Sequence, residues 1–193
     1  MADLDNLIQR WQARDERAAE ALYNQFREQI YRLAYGLLGN VADAEEAAQD
    51  TLSYALMNIR RFDQLRSSFT TWLHTITVSR CRNRYRRKRL SSVSLFTWLE
   101  EGHDIADPSA TPEHLAHRRE IHGEVWAAIR ALKPSLREVI LLRYWSGHTY
   151  QEIADIVGCP VPTAQLRVRL AFDQLRTRLA ADDLVVLEEE QAP

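Results

Sequence analysis

Residues 149–163 read TYQEIADIVGCPVPT, a short amphipathic segment followed by a glycine turn and the start of a second segment. Thr149 with Glu152 has the pattern of a capping box at a helix N-terminus. Gly158 can adopt the positive φ angle that ends a helix, and Pro162 suits the first turn of the next one. This spacing predicts a helix-turn-helix, a motif that DNA-binding proteins place in the major groove. A plain helical hairpin inside an ordinary bundle is the alternative.

The second helix of this motif carries the residues that could read DNA. Its front positions can reach base edges or phosphates, and they are Thr163, Gln165, Arg167 and Arg169. Leu166 and Leu170, four residues apart, would form a small apolar patch if they are exposed. Such a patch indicates either an unusual DNA sequence or a protein that docks on this face.

The rest of the chain also follows helical spacing. It has 193 residues, of which 46% are hydrophobic and only six are glycine, so an all-α globular protein is predicted. Gly39-Asn40 predicts the end of one helix, and Asp43 is predicted to N-cap the next, with Glu46 as its reciprocal acid.

That next helix would bury a stripe containing Ala44, Ala48 and Leu52. Glu45, Glu46 and Asp50 would lie on its opposite, polar side, where they could pair with basic residues of a partner. Favourable interaction of acids with the helix dipole is a simpler explanation for the two glutamates.

A basic run ends the first half of the chain. Seven of the ten residues from Arg80 to Arg89 are basic and none is acidic, although the whole chain has a net charge of −2. A helix of this composition fits a phosphate backbone, and its candidate contacts are Arg80, Asn83, Arg84, Arg86 and Arg87. Trp72 and Tyr85 could stack on the bases of an opened strand. The alternative is a solvated helix end that complements the helix dipole.

Changes of composition predict two small helical domains joined by a flexible linker. The N-terminal domain covers residues 1–90, the linker 91–112, the C-terminal helix-turn-helix domain 113–181, and an acidic tail 182–193. The linker contains Ser, Gly, Asp and Pro and has only weak helical periodicity. Its apolar residues, Leu95, Phe96, Trp98 and Leu99, could form a short docking helix.

Several classes of function are not expected from this sequence. The chain shows no glycine-rich phosphate loop and no nucleophile elbow, so we expect neither an enzyme nor a cofactor. His114, His117 and His122 are not completed by an acid or a cysteine, so no metal site is predicted. Cys81 and Cys159 lie far apart in the sequence, and their spacing predicts neither a disulfide framework nor a metal site. No signal peptide or membrane span is visible, which predicts a cytoplasmic protein without direct membrane insertion.

The motifs together resemble one family, the extracytoplasmic-function (ECF) sigma factors of bacterial RNA polymerase. Residues 44–50, AEEAAQD, resemble the acidic helix with which sigma factors bind the polymerase clamp. Residues 69–76, FTTWLHTI, resemble the family's F-x-T-W-L-x-x-I segment, and the arginine run follows as it does there. Residues 132–143 resemble the entry to its C-terminal domain, and residues 150–154, YQEIA, resemble the family's Y-x-E-I-A segment. The resemblance extends from about Tyr23 to Leu179.

This resemblance implies a factor that gives core RNA polymerase its promoter specificity. The N-terminal domain would be a promoter-melting helical bundle that binds the polymerase clamp and the −10 element. The C-terminal helix-turn-helix would read the −35 element through Thr163, Gln165, Arg167 and Arg169. The implied polymerase contacts are Glu45, Glu46, Gln49 and Asp50, and the implied −10 contacts are Arg61, Trp72, Arg80, Asn83, Arg84, Arg86 and Arg87. The loop from Arg61 to Ser68 would hold an extruded base, and an anti-sigma factor is an expected partner.

Two other functions fit parts of the pattern. A stand-alone helix-turn-helix regulator would explain the C-terminal half but not the acidic helix or the arginine run. A helical adaptor that binds only an anti-sigma-type regulator would explain the apolar residues Leu166 and Leu170.

Overall fold

The computed structural model of the chain describes residues 2–91 and 123–179. Within these ranges all regular structure is helical, which confirms the predicted fold class. The chain divides into two compact units, Met1–Ser91 and Ser92–Pro193. The apolar cluster predicted around Trp98, the three histidines from His114 to His122 and the acidic tail lie outside the described residues.

The first unit is a bundle of four helices. Its elements are α1 (Ala2–Gln12), α2 (Glu16–Leu38), α3 (Val41–Met57), a 3-10 turn (Ile59–Arg61) and α4 (Phe69–Ser91). Helix α2 packs against α1, α3 and α4, and α3 also packs against α4. The core is therefore enclosed by the long central helix α2 and its neighbours.

The junction between α2 and α3 differs from the predicted one in its cap. Gly39 ends α2 with a φ of 69°, as the sequence predicts. The N-cap of α3 is Asn40, whose Oδ1 accepts a hydrogen bond from the backbone N–H of Asp43 at 3.0 Å. The prediction of Asp43 as the cap was wrong, because both residues are good caps and Asn40 lies where the backbone is still extended. Asp43 lies in the first turn and is only 5% exposed.

An aromatic cluster fixes the loop that joins the 3-10 turn to α4. Phe69 packs against Phe26 and Phe62, with ring centroids 5.2 Å apart in each pair. Phe62 also packs against Trp72 at 5.4 Å. Both ends of the loop are thus held by buried rings, while Leu65 at its middle is 98% exposed.

The second unit contains α5 (123–130), α6 (Pro134–Ile140), a π-helical turn (Leu141–Trp145), α7 (Tyr150–Val157) and α8 (Val161–Arg176). Helix α6 continues without a break into the π-helical turn. There the N–H of Ser146 donates to the carbonyl of Leu141 at 3.0 Å. Arg137 ties this helix to the preceding one by donating to the carbonyls of Arg130 and Leu132.

The helix-turn-helix forms as the sequence predicts. Glu152 Oε2 accepts from the N–H of Thr149 at 2.9 Å, and the hydroxyl of Thr149 accepts from the N–H of Glu152 at 3.3 Å, which closes the capping box. Gly158 ends α7 with a φ of 73°. Ala154 and Ala164 are both buried, and α7 packs against α8.

Of the described helices, none is both long and apolar enough to cross a membrane.

Candidate nucleic-acid interface

Helix α3 presents a polar face made of the residues predicted to bind a partner. Glu45, Glu46, Gln49 and Asp50 are all exposed. On the opposite side, Ala44, Ala48 and Leu52 are buried in the core, as predicted. The spacing of the apolar stripe therefore fixes which side of α3 is open to a partner.

The basic run lies on the second half of α4. Asn83, Arg86 and Arg87 are exposed, and the Oδ1 of Asn83 accepts a hydrogen bond from Arg86 Nη2 at 3.2 Å. Arg80 and Arg84 are half-buried. The five candidates therefore form two groups, three exposed residues and two half-buried ones.

Arg84 forms an ion pair with two carboxylates of α3. Its Nε donates to Asp43 Oδ1 at 2.8 Å, and its terminal nitrogens donate to Glu46. The hydrogen bonds to Glu46 and Asp43 raise the pKa of the Arg84 guanidinium, and Arg84 in turn lowers the pKa of the Glu46 carboxyl. Arg84 and Glu46 are therefore charged at neutral pH, and the ion pair joins the acidic face of α3 to the basic face of α4.

Sequence reasoning assigned Arg84 and Glu46 to two different partners and did not foresee their contact. A carboxylate placed near the buried side of a helix signals that a cation must be close, because an unpaired buried charge is costly. That signal was available at Asp43. It does not identify which arginine of the run supplies the charge, since several arginines of α4 are possible.

Arg61 and Arg80 converge on Tyr54, a residue that sequence reasoning missed. The guanidinium carbon of Arg80 lies 4.9 Å from the centroid of the Tyr54 ring, a cation–π distance. Arg61 Nη1 donates to the hydroxyl of Tyr54 at 3.4 Å. Tyr54 therefore holds a cation from the 3-10 turn and a cation from α4 close together.

The two predicted stacking residues have different surroundings. Trp72 is half-buried and packs against Phe62 and Phe69. Tyr85 is 42% exposed on α4, within the basic run. Tyr85 is thus the more accessible aromatic ring of the pair.

The exposed side of α8 mixes polar and apolar residues. Gln165 and Arg169 are exposed, whereas Thr163 and Arg167 are half-buried. Leu166 and Leu170 are 45% and 42% exposed, which confirms the apolar patch. This surface has fewer positive charges than α4 and two exposed leucines.

These surfaces are suited to binding. Among the described residues, no group of three His, Cys, Asp or Glu side chains is arranged to hold a metal ion. A basic helix with an exposed aromatic ring and a helix-turn-helix are both arrangements that contact nucleic acid.

Comparison with known families gives two matches. The family model of sigma-70 region 2 matches residues 22–90, from within α2 to the end region of α4. The model of sigma-70 region 4 matches residues 122–175, which covers the helix-turn-helix. The two candidate nucleic-acid surfaces thus fall in separate matched regions.

Individual proteins agree with these matches. The RNA polymerase sigma-H factor of Pseudomonas aeruginosa is 30% identical over 168 residues, which cover 84% of this chain and 86% of that protein. The ECF RNA polymerase sigma factor SigE of Mycolicibacterium smegmatis is 28% identical over 83% of this chain, which spans only 61% of that longer protein.

A solved structure shares the fold. The sigma factor RpoE of Bartonella quintana, crystallised with the anti-sigma factor NepR, aligns with a TM-score of 0.69 at 24% identity, over 84% of this chain and 97% of that one. With both sigma-70 regions present in order and a relative similar over most of its length, the chain belongs to the sigma-70 family of RNA polymerase sigma factors, in its extracytoplasmic-function group.

Proposed function

We propose that this protein binds core RNA polymerase and directs promoter-specific initiation of transcription, without a chemical reaction of its own. The observation that carries this proposal is that each candidate binding surface lies within one of the two matched sigma-70 regions. The exposed acidic and basic faces of α3 and α4 lie within region 2, and the helix-turn-helix lies within region 4. The cytoplasm, where RNA polymerase works, is its proposed location.

The polar face of α3 is the proposed polymerase-binding surface. Glu45, Glu46, Gln49 and Asp50 are exposed together on one side of a helix whose other side is buried. A basic helix of the polymerase clamp would be attracted to this face. Because Glu46 is already paired with Arg84, Glu45 and Asp50 are the carboxylates most available to a partner.

The basic surface of α4 is the proposed site for the −10 element. Exposed Arg86 and Arg87 would contact phosphates, and Asn83 lies beside them. Tyr85 offers a ring on which a base of the opened strand can stack. Arg61 and Arg80, held at Tyr54, would support the edge where the strand passes the loop that precedes α4.

Helix α8 is the proposed reader of the −35 element. In a helix-turn-helix the second helix lies in the major groove and its N-terminal residues contact base edges. Gln165 and Arg169 are exposed there, with Thr163 and Arg167 at the margin of the buried side.

The domain organisation and regulation follow from the same proposal. The two sigma domains over residues 1–90 and 113–181 would act on different promoter elements, with residues 91–112 as the linker. An anti-sigma factor is a proposed partner, because a sigma factor of the same fold was crystallised with one.

Transcription with purified components tests the proposed function. Core RNA polymerase that lacks a sigma subunit is mixed with the protein and total genomic DNA, and the transcripts are sequenced. Discrete start sites that need the protein and share upstream elements are expected. Binding to polymerase without specific starts would favour the adaptor, and a DNA footprint without any polymerase binding would favour the stand-alone regulator.

A single substitution tests the polymerase surface. Asp50→Arg places a positive charge in the centre of the acidic face, so we expect affinity for core polymerase to fall by about tenfold or more. Glu20→Arg, on an exposed position of α2, makes the same change of charge and is the control. Equal affinity of Asp50→Arg and the unchanged protein would remove α3 from the interface.

A further inference from the structure

A cleft beside α8 shares Gln165 and Arg169 with the proposed DNA-reading surface, but its aromatic wall has no part in that reading. It has a volume of about 590 Å³ and lies where the π-helical turn and the start of α7 meet α8. Three aromatic residues, Tyr144, Tyr150 and Phe172, line it together with Gln165, Leu166 and Arg169. The rings of Tyr144 and Phe172 are stacked with centroids 5.9 Å apart, so one wall of the cleft is a continuous aromatic surface.

The cleft combines apolar walls with positive charge at its edge. Leu166 is 45% exposed and Leu170, one turn further along α8, is 42% exposed. Arg169 lines the cleft, and Arg167 and Arg176 lie on the same helix. A ligand for this surface needs a few apolar side chains next to acidic ones.

The acidic tail (182–193) has this composition. It begins Asp182-Asp183, continues with the apolar run Leu184-Val185-Val186-Leu187, and is followed by Glu188-Glu189-Glu190. The chain has 25 basic and 27 acidic residues. Without the five acids of the tail it would have 22 acidic residues and a net charge of +3 instead of −2. The five acids of the tail therefore change the sign of the net charge of the chain.

The tail is long enough to return to the cleft. Leu166 and Arg176 are ten positions apart, which at about 1.5 Å per helical residue is roughly 15 Å. Leu179 and Leu187 are eight positions apart and can be separated by up to about 26 Å when the chain is extended. Leu184 and Leu187 can thus reach Phe172 and Leu166 when the tail runs antiparallel to α8.

We propose that the acidic tail docks in this cleft, with Leu184 and Leu187 against its apolar wall and the glutamates near the arginines of α8. Docking would cover Gln165, Leu166 and Arg169 and compete with DNA for the helix. The consequence for transcription rests on the proposed function, whereas the docking itself does not. The tail would then lower the affinity of the free protein for DNA until a competing partner displaces it.

Nuclear magnetic resonance of the full chain tests the docking. Leu184→Ser/Leu187→Ser removes the apolar anchors and keeps every charge, so the signals of Leu166, Arg169 and Phe172 are expected to shift. Leu95→Ser/Leu99→Ser makes the same change in the predicted linker and is the matched control. If the linker variant shifts these signals and the tail variant does not, the linker occupies the cleft and the proposal fails.

Affinity for a random-sequence DNA duplex is the second measurement. A tail docked about 80–90% of the time lowers the apparent affinity by about 5- to 10-fold, so Leu184→Ser/Leu187→Ser should raise it by that factor. An unchanged affinity together with unchanged cleft signals overturns the proposal. Cleft signals that depend on protein concentration also overturn it, because they indicate a second copy of the chain.

The docking and the proposed function can fail separately. Neither measurement contains polymerase or a promoter. Docking without promoter-specific transcription would disprove the sigma function alone, whereas transcription with an empty cleft would disprove the docking alone.

Discussion

The basic surface of α4 and the reading surface of α8 both face nucleic acid in the proposed function, yet they are built differently. Helix α4 has its exposed arginines close together, with an aromatic ring among them, and is tied to α3 through Arg84 and Asp43. Helix α8 has fewer charges, two exposed leucines and an aromatic cleft at its side. The turn that leads into it has a capping box before α7 and a glycine after α7, and α8 packs against α7.

The difference indicates two modes of binding. Phosphate contacts dominate where arginines are dense, and they give strong salt dependence and little sequence preference. A helix with few charges must gain more of its affinity from base edges and shape. We therefore expect α4 to supply most of the electrostatic attraction and α8 to supply discrimination between sequences.

Reversing charge on α4 should have the largest effect. Arg86→Glu/Arg87→Glu replaces two exposed cations next to the proposed phosphate path, and we expect promoter-directed transcription to fall on the order of 100-fold. The salt dependence of DNA binding should weaken as well. Arg17→Glu/Arg27→Glu makes the same change of charge on exposed positions of α2. Comparable loss in both variants would mean that net charge, and not the α4 surface, matters.

Truncating Arg167 should have a smaller and more selective effect. Arg167→Ala is expected to lower promoter-directed transcription by about 10- to 100-fold, the range for loss of one base-reading arginine. Binding to core polymerase should be unchanged, and Arg178→Ala, beyond the end of α8, is the control. If the variant lost affinity for random DNA and for promoter DNA equally, α8 would not be the helix that discriminates between sequences.

Breaking the ion pair of Arg84 should destabilise the first unit. Arg84→Ala removes a cation from a carboxylate that is only 5% exposed, so the free energy of unfolding should fall by about 1–3 kcal/mol. Glu46→Ala should cost less than Arg84→Ala, because Glu46 is exposed and solvent screens its charge. Urea unfolding of Arg84→Ala, Asp43→Ala and the double variant measures the coupling. If the two substitutions lower the free energy of unfolding additively, the contact between Arg84 and Asp43 does not anchor α4.

The smallest expected effect is the pH dependence of the stability of the second unit. Burial lowers the pKa of the His148 imidazole, despite Glu152 Oε2 at 3.6 Å from its Nδ1. Unfolded His148 titrates near its ordinary pKa of 6.5, so the unfolded state binds the proton first as the pH falls. Stability of the second unit is thus complete above pH 6.5 and decreases as the pH falls through the lower pKa of the folded state.

Hydrogen exchange of the α7 and α8 amides between pH 7.5 and 5.5, corrected for the intrinsic rate, measures this loss. His148→Gln should show a weaker pH dependence. An identical dependence in the variant would assign the acid sensitivity to other groups.

Local rules were sufficient wherever one or two residues decide the backbone. Gly39 and Gly158 end their helices because only a residue without Cβ readily adopts positive φ. The apolar period of α3 determined which of its sides is exposed. The same rules failed at Asp43, where two good capping residues stand three apart and the path of the chain into α3 selects Asn40.

The sequence by itself determined that this protein is helical, that it contains a helix-turn-helix, and that it resembles ECF sigma factors, because periodicity, caps and short motifs are properties of neighbouring residues. Only the tertiary structure decided that Arg84 pairs with Asp43 and Glu46, that Arg61 and Arg80 meet at Tyr54, and that aromatic residues form a cleft beside α8. Arg84 and Asp43 are 41 residues apart. Contacts of this kind depend on how whole helices pack, and many arginines in the sequence could have made them.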